Sequence, residues 1–210
     1  LLDVANPKRT FSVAQYKKLS KDVIDDIIAR GKTPILCGGT GFYIDAVICD
    51  TIFPSVPPNK TLRAALAKKS LESLQQKLRA LDPRRYALVD QKNKVRLIRA
   101  IEIATVLGSV PELKRTKQYD VVWHYLDFPD DVLKERIHHR LIKRMKQGML
   151  KEVEYLHKQG ISWKRLESFG LEYRYLALLL QKKMTREEVL SQLESAIWHF
   201  AKRQRTWFKK

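Results

Sequence analysis

The stretch Thr33-Pro34-Ile35-Leu36-Cys37-Gly38-Gly39-Thr40-Gly41-Phe42-Tyr43 narrows the folds open to this chain more than any other. A short apolar run meets two glycines and a hydroxyl residue. Apolar residues at helical spacing follow at Phe42, Ile44, Ala46, Val47 and Ile48. That order predicts a buried strand, a tight loop and a helix. In an open α/β sheet such loops lie at the carboxyl ends of strands, where ligands bind. Gly38, Gly39 and Gly41 are expected to take positive φ and to let backbone approach a ligand closely. Thr40 would then point a hydroxyl into the crevice. A glycine-rich turn with no chemistry fits the same residues, because a lone glycine loop is a weak motif.

The flanking pattern extends the α-then-β alternation and so suggests a parallel sheet. Ser12 and Gln15 form a capping box ahead of a helix that aligns Tyr16, Leu19, Val23 and Ile27 and ends at Gly31. Pro54, Pro57 and Pro58 mark a linker. From Asn59 to about Gly108 the pattern is helical only, with leucines at 62, 66, 71, 74, 78 and 81, a break at Asp82-Pro83, and Asn93 capping a last helix. Tyr119 to Leu126 is rich in β-branched and aromatic residues and reads as a strand returning to the sheet. Beyond Pro129 the spacing predicts a long helix interrupted at Gly148, a helix over roughly 171–182, and a final helix opened by a Thr185/Glu188 capping box. The domain reading is an α/β core from residues 1–54 and 118–210 with a helical insertion at 55–117.

Charge is the second constraint. The 210 residues carry net charge +18, of which residues 55–117 hold +10 and residues 195–210 hold +5. Charge concentrated in this way is the footprint of a polyanion, here a nucleic acid, since the basic segments lack the apolar face of a membrane-surface helix. No apolar run approaches a bilayer span. Two cysteines, Cys37 and Cys49, are too few for a disulfide scaffold and fit no zinc spacing. A soluble, cytoplasmic protein with reduced thiols and no membrane partner is expected. Leu1 is not a start residue, and Leu1-Leu2-Asp3-Val4 reads as the middle of a longer chain.

Several residues could carry chemistry. Arg136, Arg140 and Arg144 recur at four-residue spacing, which puts three guanidinium groups on one helical face. They form either a clamp for diphosphate or RNA phosphate, or a solvated row partnered by Glu135 and nearby acids. Arg96 and Arg99, three apart in the most basic segment, divide the same way between phosphate contact and solvent. Asp3 and Asp45 are possible site residues, though no motif in the sequence links them. His138 and His139 are adjacent and point apart on a helix, so they receive no role. Trp198, Trp207 and Phe208 stand among cations at the C-terminus, which suits base stacking, although aromatics at helical spacing also build cores. No P-loop G-x-x-x-x-G-K-[ST] is present.

Taken together, the pieces resemble a known family. Phe11-Ser12-Val13-Ala14 with the Thr33–Tyr43 run resembles the corresponding motif of tRNA dimethylallyltransferases. Val95-Arg96-Leu97-Ile98-Arg99-Ala100-Ile101-Glu102 is similar to the family's Q-R-L-x-R-A-L-E. Ala201-Lys202-Arg203-Gln204-Arg205-Thr206-Trp207-Phe208 is close to its A-K-R-Q-x-T-W-F/L. The matches occur in order and span nearly the whole chain.

The resemblance implies a P-loop nucleotide-kinase-like α/β fold, its first βαβ unit missing, with an inserted helical domain. It implies transfer of the dimethylallyl group from dimethylallyl diphosphate to N6 of the adenosine 3′ of the anticodon (position 37) in tRNA, with Mg²⁺ as cofactor. On that basis Thr40 would contact the target adenosine, and Arg136 or Arg140 would hold the diphosphate. Arg63, Arg96, Leu97, Arg99, Lys202, Arg203 and Gln204 would lie at the tRNA interface. A monomer is expected, with no metal ligand identified on this chain. The family's P-loop and the aspartate thought to act on N6 would lie upstream of Leu1, so residues 1–210 alone are expected to be marginally stable and inactive. Where the family has Gly-Tyr and a basic residue, this chain has Gly170-Leu171-Glu172, so no RNA contact carries over there. No C-terminal zinc-finger extension is expected, in keeping with bacterial-type members. The other readings are a basic helical RNA-binding module without catalysis and a different P-loop phosphotransferase.

Overall fold

The computed structural model describes residues 1–114 and 116–209. It divides into two compact units, Leu1–Val47 with Asp120–Lys210, and Ile48–Tyr119. In the first unit α1 (Val13–Ala29) opens on the expected capping box. The Gln15 N–H donates to Ser12 Oγ at 3.3 Å, and the Ser12 N–H donates to Gln15 Oε1 at 2.9 Å. Gly31, at φ +68°, ends that helix in the left-handed region that glycine adopts without a Cβ penalty. Helix α2 (Gly41–Ile48) follows the glycine loop and buries Ile44, Ala46 and Val47.

The second unit holds α3 (Lys60–Ala67), α4 (Leu71–Leu81), α5 (Pro83–Leu88) and α6 (Lys94–Leu107), each opened by a side-chain cap from Asn59, Ser70, Asp82 or Asn93. Leu74 and Leu78 of α4 and Leu97 and Ile101 of α6 have no exposed surface and form its core. Each such side chain contributes about 1.5–3 kcal/mol by leaving water. Asp82 is a second organiser. Its carboxylate accepts the N–H of Arg85 at 2.8 Å and of Val110 at 2.7 Å, tying the α4–α5 corner to the end of the unit. Burial works to push that carboxyl up, and the two N–H donors with Arg84 and Arg85 hold it below its usual range. The chain enters and leaves side by side: the Ile52, Thr116 and Gln118 N–H groups donate to the carbonyls of Lys114, Cys49 and Ile48.

The first unit resumes with α7 (Asp130–Lys146), α8 (Met149–Lys158), α9 (Trp163–Ser168), α10 (Leu171–Leu180) and α11 (Arg186–Phe208). Gly148, at φ +100°, separates α7 from α8. Thr185 and Glu188 complete the second expected capping box. Leu141, Val153, Leu166, Leu176, Val189 and Leu193 meet in one core.

The expected strands differ from what is observed. Among the described residues no strand forms. Residues 33–37 and 121–126 lie outside any regular element, with no backbone partner among the described residues, and Ile35, Val122 and Leu126 are 88%, 81% and 82% exposed. Strand character belongs to a ladder rather than to a segment, so an apolar run without a neighbour stays unpaired. The described residues thus carry the helices of the expected α/β class without its parallel sheet.

Candidate functional site

Thr40 stands immediately before α2, and its carbonyl accepts the N–H groups of Tyr43 and Ile44 at 2.9 and 3.1 Å. Its side chain is exposed. The glycines around it do not take the positive φ expected of them: the left-handed glycines are 31, 108, 148, 160 and 170. Close approach explains two of them instead. A Cβ on Gly39 would lie 2.1 Å from Gln204 Nε2, and one on Gly41 would lie 2.2 Å from Trp207 Cδ1. Gln204 Nε2 also donates to the Gly39 carbonyl at 2.8 Å. The end of α11 is therefore pressed against the loop on both sides of Thr40. Gly38 differs, since a Cβ there would face open space. Below the loop, the Tyr43 ring lies 5.0 Å from Tyr16, and burial first, then Tyr16, raises the Tyr43 hydroxyl above its usual pKa.

The tail is itself anchored. Arg205 pairs with Asp127 and Asp130 and donates to the Phe128 carbonyl. Its side chain is only 16% exposed, and its guanidinium is held more firmly protonated, chiefly by the Asp130 hydrogen bond. Phe208 packs 5.9 Å from Trp123 and 6.1 Å from Tyr125. Lys202 and Arg203 face outward, with Lys202 Nζ 5.8 Å from the Trp198 ring and Arg203 5.7 Å from Phe200. Of the aromatics read as stacking candidates, Phe208 is spent on packing, while Trp207 keeps 37% of its surface exposed.

The arginine row on α7 is not uniform. Arg136 covers the Phe128 ring at 4.4 Å, and Arg144 pairs with Glu172 at 2.6 Å. Arg140 is exposed, and its side chain has no protein partner among the described residues. Glu172, the acid where the resemblance led one to look for a base, thus neutralises one cation of the row. His138 ties α7 to α11 through Glu194 at 3.0 Å.

In the other unit, Arg63 and Arg99 converge on Glu102, which is fully buried. Arg63 donates through Nε at 2.9 Å and Nη2 at 2.7 Å, Arg99 through Nη1 at 2.5 Å, and the Asn59 N–H at 2.6 Å. Burial pushes the Glu102 carboxyl up, but Arg63, Asn59 and Arg99 outweigh it and bring the pKa down to about 2. Both arginine side chains stay partly exposed, at 41% and 35%. Leu97, expected at the tRNA interface, has no exposed surface, because its position on α6 faces the core. Arg96, the residue before it on α6, is exposed, and its backbone N–H donates to the Asn93 cap at 3.2 Å.

No group of three or more His, Cys, Asp or Glu among the described residues is arranged to hold a metal ion. Asp127 and Asp130 are already neutralised by Arg205. The roles of Gln204 and Trp207 against the loop were missed in the sequence. Their three-residue spacing on a helix was the available signal that both face one way.

A model of the IPP transferase family matches residues 1–210. The tRNA dimethylallyltransferase 2 of Treponema denticola is 41% identical over 216 residues, spanning all of this chain and 72% of that protein. The tRNA dimethylallyltransferase 1 of Syntrophus aciditrophicus is 41% identical over 217 residues, spanning all of this chain and 70% of its own length. Among solved structures, a tRNA isopentenylpyrophosphate transferase from Bacillus halodurans is similar with TM-score 0.67 and 31% identity, over 99% of this chain and 67% of that one. A eukaryotic dimethylallyltransferase acting on tRNA is similar with TM-score 0.77 over 97% of this chain and 54% of its own, a likeness of fold at 20% identity.

Proposed function

Because this chain belongs to the IPP transferase family, we propose that it transfers the dimethylallyl group of dimethylallyl diphosphate to N6 of the adenosine just 3′ of the tRNA anticodon. The observation that carries this reading is the match over residues 1–210, which takes in the Thr40 loop and the terminal helix together. A non-catalytic RNA-binding module and an unrelated phosphotransferase are not favoured by that match.

In the reaction the allylic C1–O bond to diphosphate breaks, N6 bonds to C1, and N6 releases a proton. Negative charge builds on the departing diphosphate, and a fixed cation aimed at its oxygens lowers the barrier. Arg140, exposed and unpartnered, is the residue we assign to that task, with Arg136 one turn away. Arg144 is spent on Glu172. The adenine must leave its stack to reach a bound allyl donor, and Thr40, an exposed residue, is the one we assign to contact it. Lys202 and Arg203 on the tail and Arg96 on α6 are outward cations suited to RNA phosphates. Arg63 and Arg99 could add only their exposed portions. Cys37 and Cys49 are unpaired thiols, in keeping with a cytoplasmic enzyme.

The test uses the protein at its natural length, isotopically labelled dimethylallyl diphosphate, and two tRNAs differing only in A or G after the anticodon. Label recovered as N6-dimethylallyladenosine from the first tRNA alone is expected. Label at another nucleotide, or in neither tRNA, overturns the proposal.

A further inference from the structure

The terminal motif reads as an RNA-contacting tail, yet two of its side chains lie against the glycine loop. Gln204 donates its amide to the Gly39 carbonyl, and the Trp207 indole occupies the space where Gly41 would carry a Cβ. Thr40 lies in sequence between these two contacts, and the residue is exposed. The contacting end of α11 is held from behind by Arg205 on Asp127, Asp130 and the Phe128 carbonyl, and by Phe208 beside Trp123 and Tyr125. We propose that Gln204 and Trp207 are positioning residues that hold the Thr40 hydroxyl in place for transfer, and that Gln204 is not an RNA ligand. The functional half of this inference rests on the reading of Thr40 given above.

The physics favours this assignment. A loop whose glycines sit at ordinary φ gains no rigidity from its own backbone, and glycine keeps the largest freedom to lose. A hydrogen bond on one side and a ring wedge on the other supply the restraint from outside. Displacing a reacting group by about 1 Å costs on the order of 100-fold in rate, so a loosened loop is felt in turnover before it is felt in affinity.

The experiment compares Gln204→Glu, which keeps shape and loses the amide donor, and Trp207→Phe, which shortens the wedge, in the protein at its natural length. Each is also combined with Thr40→Ala. We expect kcat for dimethylallyl transfer to fall by about 10- to 100-fold, with tRNA KM moved less than about threefold. In the Thr40→Ala background the same changes should cost little more, because they act through Thr40. Amide exchange over residues 38–44 should speed up in both single variants and stay unchanged in α8–α10. If Gln204→Glu instead raises tRNA KM at constant kcat, or its cost is undiminished beside Thr40→Ala, the proposal fails and Gln204 is an RNA ligand or acts elsewhere. Unchanged exchange at 38–44 also overturns it. Absence of transfer by the unmodified protein would overturn the functional reading instead, and the exchange measurement would still decide whether the tail holds the loop.

Discussion

A guanidinium group differs from its neighbour by what already satisfies it. Arg140 and Arg144 sit one turn apart on α7, yet Arg144 is committed to Glu172 at 2.6 Å and Arg140 is open. Arg140→Ala is expected to lower kcat for transfer by about 100-fold, the scale of losing one charge-stabilising donor, with tRNA affinity little changed. Arg144→Ala should leave kcat within about threefold and lower thermal stability, since it strands Glu172 without its partner. Steady-state kinetics on the two variants separates them, and equal losses would mean the row acts as one clamp. Gly38 permits a second residue-scale test. A methyl there meets nothing within 4 Å and the backbone is not left-handed, so Gly38→Ala should fold normally. A rise in substrate KM with unaltered melting temperature would mean a ligand comes close to Gly38. Unaltered kinetics would mean that face of the loop stays empty.

At the scale of the element, Glu102 governs how α6 meets the start of α3. Its folded pKa, about 2, lies below the ordinary carboxyl value of 4.5. A depressed folded value stabilises the unit above pH 4.5, and that contribution is lost as pH falls from 4.5 toward 2. Urea unfolding followed between pH 6 and 2.5 should therefore show a falling midpoint across that window. Glu102→Gln should flatten this acid dependence and cost about 2–3 kcal/mol at neutral pH, less than a fully buried pair because both arginines reach solvent. The same geometry recasts Arg63 and Arg99 as partners of Glu102 that stay partly exposed. Arg96 has no such commitment, so it is the cation on α6 whose loss should be felt in RNA binding.

For the molecule as a whole, net charge +18 sets the response to salt. Affinity for tRNA should fall linearly on a log–log plot against salt, and Arg96→Ala or Lys202→Ala should each reduce the slope by about 0.7–0.9. Thr40→Ala, which removes no charge, should leave that slope unchanged while lowering turnover. Filter binding across 50–300 mM salt reads all three. The exposed apolar runs at 33–37 and 121–126 are a separate liability. Unpaired apolar segments of this kind invite strand addition, so residues 1–210 prepared alone should self-associate with rising concentration, measured by light scattering.

The sequence by itself determined what depends on near neighbours. The Ser12–Gln15 and Thr185–Glu188 boxes, the Asn93 cap and the stop at Gly31 all rest on groups within three or four residues, so spacing alone exposes them. Local order likewise located the basic segments and the motifs that resemble the family. Only the tertiary structure decided which polar groups are already spent. The Gln204–Gly39 bond joins residues 165 apart, Arg205 closes on Asp130 from 75 away, and Arg63 reaches Glu102 across 39. No periodicity links such partners, and whether a cation is a ligand or a strut depends on what lies across the fold from it. Strand pairing belongs with these long-range features, because a ladder needs a neighbour that no single segment contains.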